Sequence, residues 1–231
     1  MASVKEVLRM LHAAARPDQL EGMARFGMTP ERRLGVAVPD MRRIAKQVGK
    51  DHALALGLWK TKIPEAMMVA SMVGDPAEVT GKQMEEWVKD FNSWDVCDQV
   101  CMNIFEKTEL AWKKAVEWSG RDEEYVKRAA FALMACLAWH DKKAPDGRFV
   151  TFIPVIKRET ADERAVVKKG VSWALRNIGK RNSALNEVAL RAAKEIQKMD
   201  ARSARWIGSD AIRDLTSETV QKRFKRMSRK Y

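Results

Sequence analysis

An all-α fold built from antiparallel helix pairs is what this sequence predicts, and three observations carry that expectation. Helical periodicity runs through almost the whole chain, strand-type alternation is nearly absent, and the connections between periodic segments are short. About a dozen helices joined by tight turns suggest pairs stacked as an α-solenoid of HEAT or armadillo type, with a globular bundle as the competing arrangement. Plain repetition at a period of about 40 residues is not visible, so the solenoid rests on helix number and turn length.

The elements follow in order. Segments 3–15 and 18–26 open the chain. In "VPDMRRIAKQV", Met41, Ile44, Ala45 and Val48 recur at i, i+3, i+4 and i+7 behind Pro39, which sits where proline starts a helix well. Segments 51–60 and 64–73 end at the turn "GDPAEVTG". Then come 80–91, 93–107, 109–119 and 123–140, the last apolar nearly all round, as expected of a central helix covered on both sides. After "DKKAPDG" the pattern resumes as 147–159, 163–180, 183–199, 203–215 and 217–228. With no linker or low-complexity stretch, residues 1–231 are expected to form one domain.

Composition narrows the function classes. Hydrophobic residues make up 46% of 231, enough for a sizeable core. The longest near-apolar run, "AAFALMACLAW", is shorter than the roughly 18 residues a membrane span needs, and "MASVKEVLRM" has no signal-peptide core, so a cytoplasmic, nucleoid-associated protein without a membrane partner is expected. Cys97, Cys101 and Cys136 lie in apolar helical segments, and His12, His52 and His140 are far apart, which favours buried thiols and surface histidines over a metal site. No cofactor is expected. Lys and Arg outnumber Asp and Glu 43 to 31, a formal charge of +12, which favours a polyanionic partner, nucleic acid first among them.

Helical-wheel positions at about 100° per residue set a few side chains apart. On 93–107 the core stripe is Cys97, Val100, Cys101, Ile104 and Phe105, with Trp94 on its flank, Asp98 on its margin and Asp95 pointing fully away. On 163–180, Trp173 lies opposite Val167, Gly170, Val171, Ala174 and Ile178, among Lys169, Arg176 and Lys180. An indole among cations either lies under a neighbouring helix or packs on sugar and base while the cations take phosphates. Arg128 opens the most apolar helix; its guanidinium either pairs with a carboxylate such as Glu124 or reaches a phosphate. The Trp94–Asp98 offset recurs at Trp118–Asp122 and Trp206–Asp210, so the spacing alone carries little information.

Several motifs together carry more. "MARF" at 23–26, then "TPERR", "SWDVCD" at 93–98, "VKRAA" at 126–130, "KKGVSWALR" at 168–176 and "ARWIGSDAIRDL" at 204–215 resemble, in order and spacing, the AlkD-like DNA glycosylases of the DNA alkylation repair family. The resemblance implies a HEAT-like solenoid whose concave basic face holds duplex DNA carrying alkylated bases. It implies hydrolysis of the N-glycosidic bond of N7- and N3-alkylated purines by a monomer. It makes Asp98 the catalytic carboxylate, Trp94 and Trp173 the tryptophans that pack on sugar and lesion, and Arg128 a DNA contact; Lys169, Arg176 and Lys180, which the wheel places around Trp173, are the further DNA-binding cations expected. Two positions depart from some relatives: Phe26, where tyrosine occurs, is expected only to pack, and Ser93, where a second tryptophan occurs, is expected to cap the helix.

The residue types suit that chemistry. A base alkylated at N7 or N3 is already a cationic leaving group, so one carboxylate that stabilises the oxocarbenium ion and orients water suffices. An indole face favours a cation by about 0.5–2 kcal/mol, enough for selection and too little for catalysis. Three cysteines cannot hold an iron–sulfur cluster, and no lysine stands out as a Schiff-base nucleophile. A non-catalytic module that binds branched or distorted DNA is the alternative reading, and a protein-binding solenoid a third. The basic end "QKRFKRMSRKY" is either a phosphate-binding arm or a frayed, solvated tail.

Overall fold

The computed structural model describes residues 2–228, and all regular structure among them is helical. The helices form two compact units, Met1–Ala111 and Trp112–Tyr231. The first holds α1 (Val4–Ala13), α2 (Leu20–Arg25), α3 (Val38–Val48), α4 (His52–Trp59), α5 (Pro64–Val73), α6 (Gly81–Lys89) and α7 (Trp94–Asn103). The chain enters the second through α8 (Ala111–Ser119) and continues with α9 (Glu124–His140), α10 (Asp146–Val150), α11 (Phe152–Arg158), α12 (Ala165–Gly179), α13 (Ser183–Gln197), α14 (Arg202–Leu215) and α15 (Glu218–Ser228).

Local chemistry explains most boundaries. Ser3 and Glu6 close a reciprocal capping box on α1, while Asp51, Thr80 and Asn182 accept the backbone N–H three residues on at the starts of α4, α6 and α13. Three predicted helices are divided. Segment 18–26 is a 3-10 turn, Pro17–Gln19, followed by α2. Segment 93–107 leaves helical backbone at Ile104 (φ −132°) and ends in the 3-10 turn Phe105–Lys107, which buries both Ile104 and Phe105. Segment 147–159 breaks at Thr151: Pro154 has no N–H for the carbonyl of Val150, and starting α11 at Phe152 puts it in the first turn, where none is needed. The basic end is helical to Ser228 rather than frayed, with Lys222, Arg223, Lys225 and Arg226 exposed; residues 229–231 lie outside the described residues.

Each unit is organised round one buried helix. In the first, α5 packs against α3, α4 and α7 and is buried at every position but one. An aromatic cluster sits beside it, Trp59 stacked on Trp87 at 3.9 Å with Phe91 and Phe105 around them. In the second, α9 is buried continuously from Val126 to Ala138 and packs most extensively on α12, as its all-round apolar sequence predicts. The α13–α14 pair closes tightly at Gly208, where a Cβ would lie 2.6 Å from the Ala193 carbonyl oxygen. All three cysteines are buried thiols. Of the histidines, His12 and His140 are exposed, whereas His52 is half-buried beside Gln83 at 3.1 Å. Among the described residues no helix is long and apolar enough to cross a membrane, and no group of three metal-ligating side chains occurs.

Candidate nucleic-acid interface

Trp94 is the first residue of α7 and Asp98 lies one turn further on; both are half-buried, on the margin of the Cys97, Val100 and Cys101 stripe. Their setting comes from a distant part of the chain. The Trp94 indole N–H donates to the Phe26 carbonyl at 3.0 Å. Phe26 itself is 77% exposed at the end of α2, so its side chain does not pack as expected and its backbone does the work.

Next to this contact, residues 29–33 are clamped onto the start of α7. Arg33 holds Asp95 through two hydrogen bonds, at 2.7 and 3.0 Å, and donates to the Ser93 hydroxyl at 3.3 Å and to the Thr29 carbonyl at 2.8 Å. Thr29 donates its N–H to Ser93 and its hydroxyl to the Asn92 carbonyl, and Ser93 donates to Asp95. Ser93 therefore makes no cap bond to α7; its oxygen is spent on this clamp. Asp95 does point away from the core stripe of α7, yet it is shielded rather than solvated, because Arg33, whose side chain is 2% exposed, covers it. A fork-to-fork arginine–carboxylate pair of this kind fixes orientation as well as position.

A second carboxylate anchors the same segment from below. Glu65, fully buried on α5, accepts the N–H groups of Leu34 and Gly35 at 3.0 and 2.8 Å. Gly35 (φ +78°) is obligatory there, since a Cβ would come within 2.2 Å of the Arg16 carbonyl oxygen. Sequence reasoning missed both Arg33 and Glu65. The motif "TPERR" contained Arg33, but nothing in the sequence said that it would meet Asp95, and Glu65 carried no signal of its own.

In the second unit, Arg128 is 6% exposed and donates to the Val166 carbonyl at 2.6 Å, joining α9 to the start of α12. Its neighbour Lys127 is equally enclosed, bonding Glu159 at 2.9 Å and lying 3.4 Å from Asp162, which Arg164 also holds. Burial raises the Asp162 carboxyl, but hydrogen bonds from Arg164 and the charges of Arg164 and Lys127 outweigh it and leave the pKa lowered.

Trp173 is half-buried and lines a depression of about 310 Å³ together with Lys180, Asn177 and residues from the end of α9. The cations around it differ in standing. Arg176 lies 3.4 Å from both Asp210 and Asp214, and Lys180 bonds Asp214 at 2.9 Å, so the carboxylates of "ARWIGSDAIRDL" neutralise two of the three. Ser172 adds a hydrogen bond to Asp210 at 2.7 Å. Lys169 is exposed and makes no ion pair among the described residues. The three Trp–Asp spacings meet three fates: Trp118 is fully buried, Trp206 is 40% exposed under Lys168, and Trp94 is half-buried and donates to a backbone carbonyl at a helix start.

A family model described as DNA alkylation repair enzyme matches residues 7–215. No curated protein sequence matches the chain. Among solved structures, the chain is similar to one described as a new family of proteins related to the HEAT-like repeat DNA glycosylases with affinity for branched DNA structures. The identity is 20%, the coverage 92% of this chain and 95% of that one, and the TM-score 0.75, which shows a HEAT-like all-α fold rather than a globular bundle. An engineered protein and a designed armadillo repeat protein, each 14% identical, cover 94% and 92% of the chain at TM-scores of 0.42 and 0.35, too low to argue from; the shares of those chains are 99% and 92%.

Proposed function

The chain belongs to the DNA alkylation repair enzyme family, and from that premise we propose that it is a monofunctional glycosylase hydrolysing the N-glycosidic bond of cationic N7- and N3-alkylpurines in duplex DNA. The observation that carries the reading is the Trp94–Asp98 pair: a half-buried carboxylate one turn from a half-buried indole whose orientation is fixed by its N–H bond to the Phe26 carbonyl. Asp98 is assigned the developing charge. As the C1′–N bond breaks, its electron pair moves onto the cationic base and neutralises it, while Asp98 stabilises the oxocarbenium ion at C1′. Water then adds to C1′ and gives up its proton to Asp98 or to solvent. The Trp94 face packs on the sugar and lesion. From the second unit, Trp173 is assigned the same kind of packing, and Lys169 contact with phosphate. Arg128, enclosed between α9 and α12, serves DNA mainly by setting the start of α12.

Base release from alkylated duplex DNA tests this. Wild-type protein should release 7-methylguanine or 3-methyladenine, and Asp98→Asn should lower release by at least about 100-fold while DNA affinity stays within about twofold; full activity in Asp98→Asn ends the assignment. A second reading, a non-catalytic module for branched DNA, is favoured by the description of the similar solved structure. It predicts no base release from wild-type protein and tighter binding of junctions than of linear duplex.

A further inference from the structure

The depression beside Trp173 has a second aromatic wall that the proposed chemistry does not use. Trp139, near the end of α9, is 52% exposed, the most open large apolar side chain among the described residues of the second unit, and stacks on His140 at 4.6 Å. Four cations line the same depression: Lys142, Lys180, Arg181 and Arg223. Two are committed to the fold. Lys180 pairs with Asp214, and Arg181 donates to the carbonyls of Ala138 and Ala144 and lies over the Phe149 ring at 4.3 Å. Lys142 and Arg223 are exposed and make no ion pair among the described residues, so they leave positive charge uncompensated beside an open indole. Burial, followed by the charges of Arg181 and Arg223, lowers the Lys142 pKa, as expected where cations converge on one space.

We propose that this depression binds an unpaired nucleotide of a DNA strand, its base stacked on Trp139 and its phosphates held by Lys142 and Arg223. An aromatic face beside exposed cations is the combination that binds single-stranded nucleic acid, because every base offers a π-face and every linkage a charge. The volume of about 310 Å³ takes one nucleotide, not a duplex. The proposal rests on the reading of the chain as a DNA-binding protein but not on base release.

The test compares binding, by fluorescence anisotropy, of a blunt labelled duplex and the same duplex with a ten-nucleotide unpaired tail, with free dAMP as competitor. Wild-type protein should prefer the tailed duplex. Trp139→Ala, checked for folding by circular dichroism, should lose about tenfold on the tailed duplex and under about twofold on the blunt one, and Trp139→Phe should keep most of the affinity. Lys142→Ala with Arg223→Ala should weaken tailed binding and flatten its salt dependence. Release of methylated bases should be unchanged in Trp139→Ala. Equal loss on both DNAs, no loss on either, no tail preference, or full displacement by millimolar dAMP would overturn the proposal. A wild-type protein that binds neither DNA would instead sink the functional reading beneath it.

Discussion

Arg33 shows how much a single residue decides. It is buried against Asp95 and Ser93, and through them it sets the backbone on which Trp94 and Asp98 stand. Arg33→Ala would leave the Asp95 carboxylate shielded and uncompensated, a loss of about 3–5 kcal/mol. Thermal melting should show a lower Tm, and base release should fall further than stability alone accounts for, because the start of α7 loses its clamp. The pair Arg33→Met with Asp95→Leu separates these effects: stability should recover in part, since neither charge is then orphaned, while release stays low. Recovery of release in that pair would show that the clamp has no positioning role. Phe26 makes the opposite point. Its side chain is exposed and its carbonyl is what Trp94 uses, so Phe26→Ala is expected to be nearly silent in both assays.

At the scale of elements, α9 and α12 are joined by charge as well as by packing. Lys127 on α9 reaches Glu159 and Asp162 in the turn before α12, and Arg164 completes the cluster by donating to Asp162 and to the Asp122 carbonyl. Because the Asp162 pKa is lowered in the folded protein, its contribution to stability is fully present above the ordinary carboxylate value of about 3.9 and is lost as pH falls through and below it. Melting curves between pH 6 and 3 should therefore converge for wild type and Asp162→Asn at the acid end, with the variant less stable at the neutral end. The α12–α14 contact works similarly. Asp210 and Asp214 neutralise Arg176 and Lys180, so those two cations fasten one helix to another before they are available to phosphate. Lys169, two turns before Arg176 on α12, has no such partner among the described residues.

For the whole molecule, the surplus of cations is the governing quantity. With a formal charge of +12, DNA affinity should fall steeply with salt, a log–log slope of about −0.9 for each phosphate contacted on duplex. Titrations at several salt concentrations check this, and a salt-insensitive association would point to a protein partner instead. The slope should be smaller than the cation count suggests, because many lysines and arginines, among them Arg33, Lys127 and Arg181, are consumed inside the two units.

What the sequence by itself determined is what local repetition encodes. The helical segments, the central place of 123–140 and the margin position of Trp94 and Asp98 follow from a period of about 3.6 residues and the capping of each end, while the family shows in the order of its motifs. Helix breaks at Ile104 and Thr151 escaped it, since periodicity survives a one-residue interruption. Only the tertiary structure decided which tryptophans are open, which cations are free and which carboxylates are shielded. Arg33 and Asp95 are 62 residues apart, Arg176 and Asp214 38. A hydrogen bond across such a gap depends on which helices pack together, and no wheel drawn on one helix contains that information. The same reason separates Trp94, Trp118 and Trp206: identical spacing to an aspartate, and different neighbours.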